Sequence, residues 1–102
     1  MEVQDVPAIV QSAHARGVAV ALDNTYAAGV MFDALAHGVD VSMQALTKYV
    51  GGHSYLLLCS VSARDKNAYE RLGPIYQQLG LAVSPDYCSL ALRGLQTLAV
   101  ML

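Results

Sequence analysis

The stretch "VAVALDNTYAAG", Val18–Gly29, opens with an apolar, β-branched run that ends in an acid. A run without polar alternation reads as a strand covered on both faces, as in a parallel sheet. We place this strand at Val18–Asp23, with "NTYAAG" as the loop that leaves it. Upstream, "DVPAIVQSAHARG" (Asp5–Gly17) carries the marks of a helix, with Asp5 as cap, Pro7 in the first turn and Gly17 as terminator. Downstream we expect a short helical piece at Met31–His37, closed by Gly38. Second and third strands follow at Asp40–Leu46 ("DVSMQAL") and Leu56–Ala63 ("LLLCSVSA"). Asp65 opens a helix that runs to about Gly80, and Gly73-Pro74 is expected to kink it. Ser84-Pro85 caps a final helix with an apolar stripe at Leu90, Leu95, Leu98 and Leu102. Helix, strand, short helix, strand, strand, helix, helix is the rhythm of an α/β fold: a mostly parallel sheet flanked by helices.

Composition leads us to expect that this order is not the whole of a domain. The chain has 102 residues, of which 55% are hydrophobic and only 14% charged, and its mean hydropathy is +0.39. An ordinary soluble domain is roughly 25% charged, and a small one needs more polar surface than a large one. Membrane insertion does not account for the excess. A spanning helix takes about 20 apolar residues in a row, and runs such as "YLLLC" (Tyr55–Cys59) are far shorter. The start "MEVQD" lacks the basic and apolar regions of a secretory leader. We therefore expect a cytoplasmic chain that is one segment of a larger protein. A net charge of -2 with scattered signs offers no stripe for nucleic acid. Cys59 and Cys88 have no metal-ligand spacing and read as buried, reduced thiols.

Chemistry concentrates where the sheet should present it. In open α/β sheets, ligands bind outside the carboxyl ends of the strands. Asp23 ends the first strand, and Thr47-Lys48 follow the second at the same edge. Two readings remain open from spacing alone. One is an ion pair that staples the sheet. The other is a site for a cofactor with a basic nitrogen at one end and an aldehyde at the other. Pyridoxal phosphate (PLP) has both, together with a phosphate that hydroxyls can bind.

"ALDNTYAAG" followed by "DVSMQALTKYVGGHS" closely resembles the Cys/Met-metabolism family of PLP-dependent enzymes, of the aspartate-aminotransferase-like fold. Two motifs occur in the family's order and at its spacing. "RLGPIYQQLGLAVSPDYCSLALRGLQTL" continues the likeness, so that it covers essentially the whole chain. Within the family, "DNTYAAGV" and "VSMQALTKY" look most like cystathionine β-lyases. The resemblance implies that residues 1–102 belong to the PLP-binding large domain and end in the helix leading towards the C-terminal domain. It implies Lys48 as the residue that joins covalently to the cofactor and then moves the substrate proton. It implies Asp23 beside the pyridine nitrogen and Thr47 on the phosphate. The implied reaction is carbon–sulfur β-elimination of cystathionine to homocysteine, pyruvate and ammonia in methionine biosynthesis. The implied parent is a homotetramer, with the substrate-carboxylate arginine supplied outside this segment. Chemistry of the γ-elimination or γ-replacement type, as in methionine γ-lyase, cystathionine γ-lyase or cystathionine γ-synthase, is the alternative within the family. A non-catalytic α/β interaction module is the alternative outside it.

Departures from the family pattern fall at Ala45 (commonly serine, a second phosphate ligand), Leu46 (commonly small), Tyr55 (commonly an acid) and Met101 (commonly arginine). His53 is expected to pack or hydrogen-bond within its turn. His14 and His37 read as surface helix residues. Gly51-Gly52 is expected to turn the chain after the lysine. Tyr26 is left between lining the site and plain packing.

Overall fold

The computed structural model describes residues 2–53 and 55–102. Helix α1 spans Val6–His14, and the Asp5 side chain accepts a hydrogen bond from the Ala8 N–H as its N-cap. Gly17, in the left-handed region at φ 69°, ends that segment. Strands β1 (Ala21–Asp23), β2 (Val41–Ala45) and β3 (Cys59–Ala63) form one sheet in the order β1-β2-β3. Helix α2 (Lys66–Gln78) is capped by Asp65, α3 (Pro85–Leu95) by Ser84, and α4 covers Leu98–Met101.

The α/β class is as read from the sequence. β1 and β2 pair in parallel, with Asp23 opposite Met43, whereas β2 and β3 pair antiparallel, with Met43 opposite Val61. The sheet segment is therefore mixed. A parallel return needs a crossover of a dozen or more residues, which the loop and turns between Asp23 and Val41 provide. The segment after Ala45 instead reverses the chain directly and brings β3 back beside β2.

Several expected boundaries move, each for a local reason. β1 is shorter than Val18–Asp23. The Val18 N–H bonds back to the Ala13 carbonyl, and the Val20 N–H donates to the Asp40 carboxylate at 2.8 Å, so neither is left for a ladder. Residues 31–37 form turns rather than a helix, closed by Gly38 at φ 90°. β3 starts at Cys59 because the Leu58 N–H donates to Thr47 Oγ1 rather than to a strand. Helix α2 continues through Gly73-Pro74 to Gln78, with Pro74 inside it withholding an N–H from the Glu70 carbonyl. The final helix divides at Thr97, whose hydroxyl donates to the Gly94 carbonyl at 3.2 Å and so competes with the helical ladder. Its buried positions are Ala91, Gly94 and Leu98 rather than a leucine stripe, and Leu95 is 51% exposed. Both cysteines are free, as expected, but exposed rather than buried. Cys59 stands on an edge strand and Cys88 on a helix face that the described residues leave uncovered.

Two apolar clusters make the core. One joins Val10, Ala34 and Val39 with Val6, Val20, Leu22 and Phe32, and seats α1 on the sheet. The other joins Ala28, Val50, Leu56, Ala91 and Leu98, with Leu46 and Tyr49 against it. This second cluster carries the turn that follows β2. Gly94 is its tightest contact, because a Cβ built there would overlap the Val50 carbonyl oxygen. Gly94→Ala forces backbone apart and should destabilise by about 1–3 kcal/mol, which thermal unfolding of the full-length variant checks.

At the amino end of β2, Asp40 ties three elements together. Its Oδ2 accepts from the Val20 N–H and lies 2.8 Å from His14 Nε2, and Oδ1 lies 3.7 Å from Arg64 Nη1. The hydrogen bond from His14, then that from Val20, holds the Asp40 carboxyl below the usual carboxylate range. A carboxyl depressed in the folded state stabilises above its unfolded pKa of about 3.9 and loses that contribution as pH falls through the folded value. Asp40→Asn is therefore expected to flatten the loss of stability below about pH 4. Denaturant melts between pH 3 and 7 would show this, and an unchanged acid slope would contradict it.

Candidate functional site

Parallel pairing of β1 and β2 sets their carboxyl ends side by side, so the loop after Asp23 and the turn after Ala45 emerge at one edge. Between them lies an open cleft of about 520 Å³ lined by Asp23, Thr25, Tyr26, Ala45, Lys48 and Tyr49. That size falls within the range of small-molecule sites. A groove of about 700 Å³ along α1, lined by residues such as Glu2, Asp5 and Ser12, has no comparable gathering of acid, amine and aromatic groups.

The acid side of the cleft is built by a local turn. Asp23 Oδ1 accepts from the Thr25 N–H at 3.0 Å and from the Thr25 hydroxyl at 2.5 Å. The same hydroxyl accepts from the Ala45 N–H of β2 at 2.9 Å. These bonds, the hydroxyl's first and the backbone's second, hold the Asp23 carboxyl below its ordinary value. It is ionised at neutral pH.

The amine side is built by the turn at residues 46–51. Its closure comes from Lys48 N–H to the Ala45 carbonyl, Gly51 N–H to the Leu46 carbonyl, and Gly52 N–H to the Lys48 carbonyl. The two glycines divide the work. Gly52 supplies a positive φ of 59°, whereas a Cβ on Gly51 would stand 3.0 Å from the Leu46 carbonyl oxygen. Lys48 is exposed, and among the described residues no acid pairs with it. The sheet is not stapled by an Asp23–Lys48 ion pair.

Asp23 and Lys48 are thus brought to one cleft, and Thr47 is not among its lining. The Thr47 hydroxyl donates to the Leu58 carbonyl at 3.2 Å and accepts from the Leu58 N–H at 2.9 Å. Tyr26 lines the cleft and is 71% exposed. His53 Nδ1 lies 2.9 Å from the Gly51 carbonyl oxygen, within its own turn. His53 also stacks on Tyr55, and Arg93 lies 5.1 Å from the centre of the Tyr55 ring on its face. An aromatic at position 55 therefore gains partners that an acid would not have in the same form. Ser54 lies outside the described residues. Sequence reading passed over Thr25 and Tyr49. For Thr25 a signal existed, because an aspartate two residues before a threonine at a strand end is the pattern of an Asx-turn. Tyr49 carries no such mark, since a tyrosine beside a lysine is equally a core residue.

A parallel strand pair carries an acid at one carboxyl end and a lysine turn at the other, and sequence comparison gives the class of the chain. The chain belongs to the Cys/Met metabolism PLP-dependent enzyme family, whose sequence model matches residues 1–102. It is 41% identical over 104 residues to the cystathionine beta-lyase MetC of Escherichia coli K12, covering 100% of this chain and 26% of that protein. It is 34% identical over 100 residues to the cystathionine gamma-lyase of Dictyostelium discoideum, covering 98% of this chain and 26% of that one. In structure it superposes on the cystathionine gamma-lyase of Lactobacillus plantarum complexed with L-serine, with a TM-score of 0.93 at 29% identity. That match covers 97% of this chain and 26% of the other. The chain therefore spans about a quarter of the length of these relatives. Among the described residues no helix is long and apolar enough to cross a membrane.

Proposed function

We propose that the full-length protein containing this segment is a PLP-dependent carbon–sulfur lyase that splits cystathionine by β-elimination to homocysteine, pyruvate and ammonia. The observation that carries the reading is the placement of an ionised carboxylate, Asp23, and a solvent-facing amine, Lys48, on the walls of one cleft at the carboxyl ends of β1 and β2. Residues 1–102 serve as the central part of the large, cofactor-binding domain.

The donor set of the cleft fits the cofactor. Asp23 offers a carboxylate that stays charged, which suits a protonated pyridine nitrogen. Lys48 offers a primary amine for the aldehyde. Tyr26 and Tyr49 offer aromatic faces beside them. When bound, PLP supplies an electron sink that lets a bond to the substrate α-carbon break. The chain's own residues do the rest. Asp23 keeps the ring nitrogen charged. Lys48 would hold the cofactor through its amine and would be the group placed to move the substrate α-proton. Thr47 remains our assignment for the phosphate: binding would turn its one hydroxyl proton from the Leu58 carbonyl to a phosphate oxygen, while the Leu58 N–H goes on donating to the hydroxyl.

The β-direction rests on the β-lyase likeness of "DNTYAAGV" and "VSMQALTKY" and on relatives such as the Escherichia coli enzyme. Product analysis tests it. Full-length protein incubated with cystathionine should release pyruvate and homocysteine in equal amounts. Cysteine with a four-carbon keto acid would instead assign γ-elimination, and no turnover with cofactor bound would favour a non-catalytic module.

A further inference from the structure

We propose that Thr25 is a positioning residue: its hydroxyl fixes the Asp23 carboxylate by Oδ1 and locks it to β2, so that Oδ2 is the oxygen presented to the cofactor nitrogen. This rests on the lyase reading and adds a residue to its site. A threonine hydroxyl has one proton to give and two lone pairs. Since the Ala45 N–H can only donate, it takes a lone pair, at 2.9 Å, and the single proton goes to Asp23 Oδ1. The hydroxyl therefore has no alternative orientation that keeps both bonds. The Thr25 N–H adds a second bond to the same oxygen, and among the described residues no group bonds to Oδ2. Asp23 is otherwise an exposed side chain at a strand end, free to take other rotamers. Fixing it before the ligand arrives removes an ordering cost from binding, and a displacement of about 1 Å at such a site lowers rates by about 100-fold.

Three substitutions in the full-length holoenzyme test this. Thr25→Val keeps the shape and deletes the hydroxyl, Thr25→Ala deletes it without steric demand, and Thr25→Ser keeps it. Each is read by PLP dissociation constant, by kcat and KM for cystathionine, and by melting temperature. The Val variant should bind PLP about tenfold or more weakly and lose kcat by a similar factor, the size expected for a hydrogen bond to a charged group. Its KM should stay near that of the parent, and Ser should restore both losses. Equal PLP affinity and kcat in Val and wild type, or a Ser variant no better than Val, would overturn the proposal. If Val fails to fold, Ala gives the same readings. If neither folds while Ser behaves as wild type, the hydroxyl belongs to folding and the proposal is wrong. A wild-type protein that binds no PLP would instead sink the lyase reading itself, so the two failures are separable.

Discussion

Replacing Lys48 by alanine is expected to remove turnover by a factor of about 10²–10⁴, the range a lost proton-transfer group accounts for. Arginine at the same position should be no better. It keeps the positive charge but cannot give up a proton at working pH, and it has no primary amine to join an aldehyde. Lys48→Arg therefore separates a lysine that acts through its charge from one that acts through its nitrogen. The turn itself should survive either change, because it is closed by backbone bonds from Lys48, Gly51 and Gly52. Steady-state pyruvate release, with the melting temperature beside it, checks the prediction. An Arg variant with near-normal rate would show that Lys48 supplies charge alone.

Asp23→Asn is expected to have the next largest effect, a fall in kcat of at least about 100-fold, equivalent to about 2.7 kcal/mol of transition-state stabilisation. Asparagine preserves the turn, because its Oδ1 can accept both Thr25 bonds that the carboxylate accepts now. What changes is the second arm, where an acceptor oxygen becomes an NH₂ group that only donates. It cannot keep a pyridine nitrogen protonated. Stability should scarcely move. Breaking a buried ion pair would cost about 3–5 kcal/mol, but Asp23 and Lys48 are both exposed and unpaired with each other among the described residues. A normal rate with a lowered melting temperature would reverse this assignment.

The elements that the sequence announced clearly are those with local physical signals. Asp5, Asp65 and Ser84 each accept the N–H three residues on, as N-caps do. The apolar run ending at Asp23 is a strand paired in parallel with Val41–Ala45, but it is not covered on both faces: Ala21 and Asp23 are exposed and Leu22 is half-buried. Boundaries set by distant partners were not legible. Nothing in "VAV" says that Asp40, twenty residues on, will take the Val20 N–H, and nothing in "LLL" says that Leu58 will bond to Thr47. Direction was hidden for the same reason, since β3 is antiparallel by virtue of how the chain turns after Lys48 and not by its composition. The exposure of Cys59 and Cys88 follows from the same limit. An apolar neighbourhood in sequence predicts burial only when the elements that would cover it are present, and here Leu57, Tyr69, Leu92 and Val100 are exposed with them.

The site was legible in its two ends and not in its linkage. Asp23 and Lys48 stand out because strand ends collect chemistry, and the motifs around them belong to the family. That Thr25 ties Asp23 to Ala45 of β2 is visible only in three dimensions. Position 45 also shows why an apparent loss need not disable the site. Ala45 supplies a backbone N–H to this bridge, which any residue but proline would supply. Gly94 is a further example. Its place against the Val50 carbonyl, beside the lysine turn, could not be read from "LRGLQ", and it explains why a helix interior keeps a residue of low helix propensity.

The residue that joins to the cofactor can be located directly. Reducing the full-length holoprotein with borohydride makes permanent any bond between the cofactor's aldehyde carbon and a lysine nitrogen. Peptide mass spectrometry then locates it. A single pyridoxyl group on Lys48 is expected. A label on Lys66 would contradict it, because Lys66 sits at the start of α2, 3.5 Å from Glu70 and away from the cleft, and a protein that takes up no label would contradict it equally.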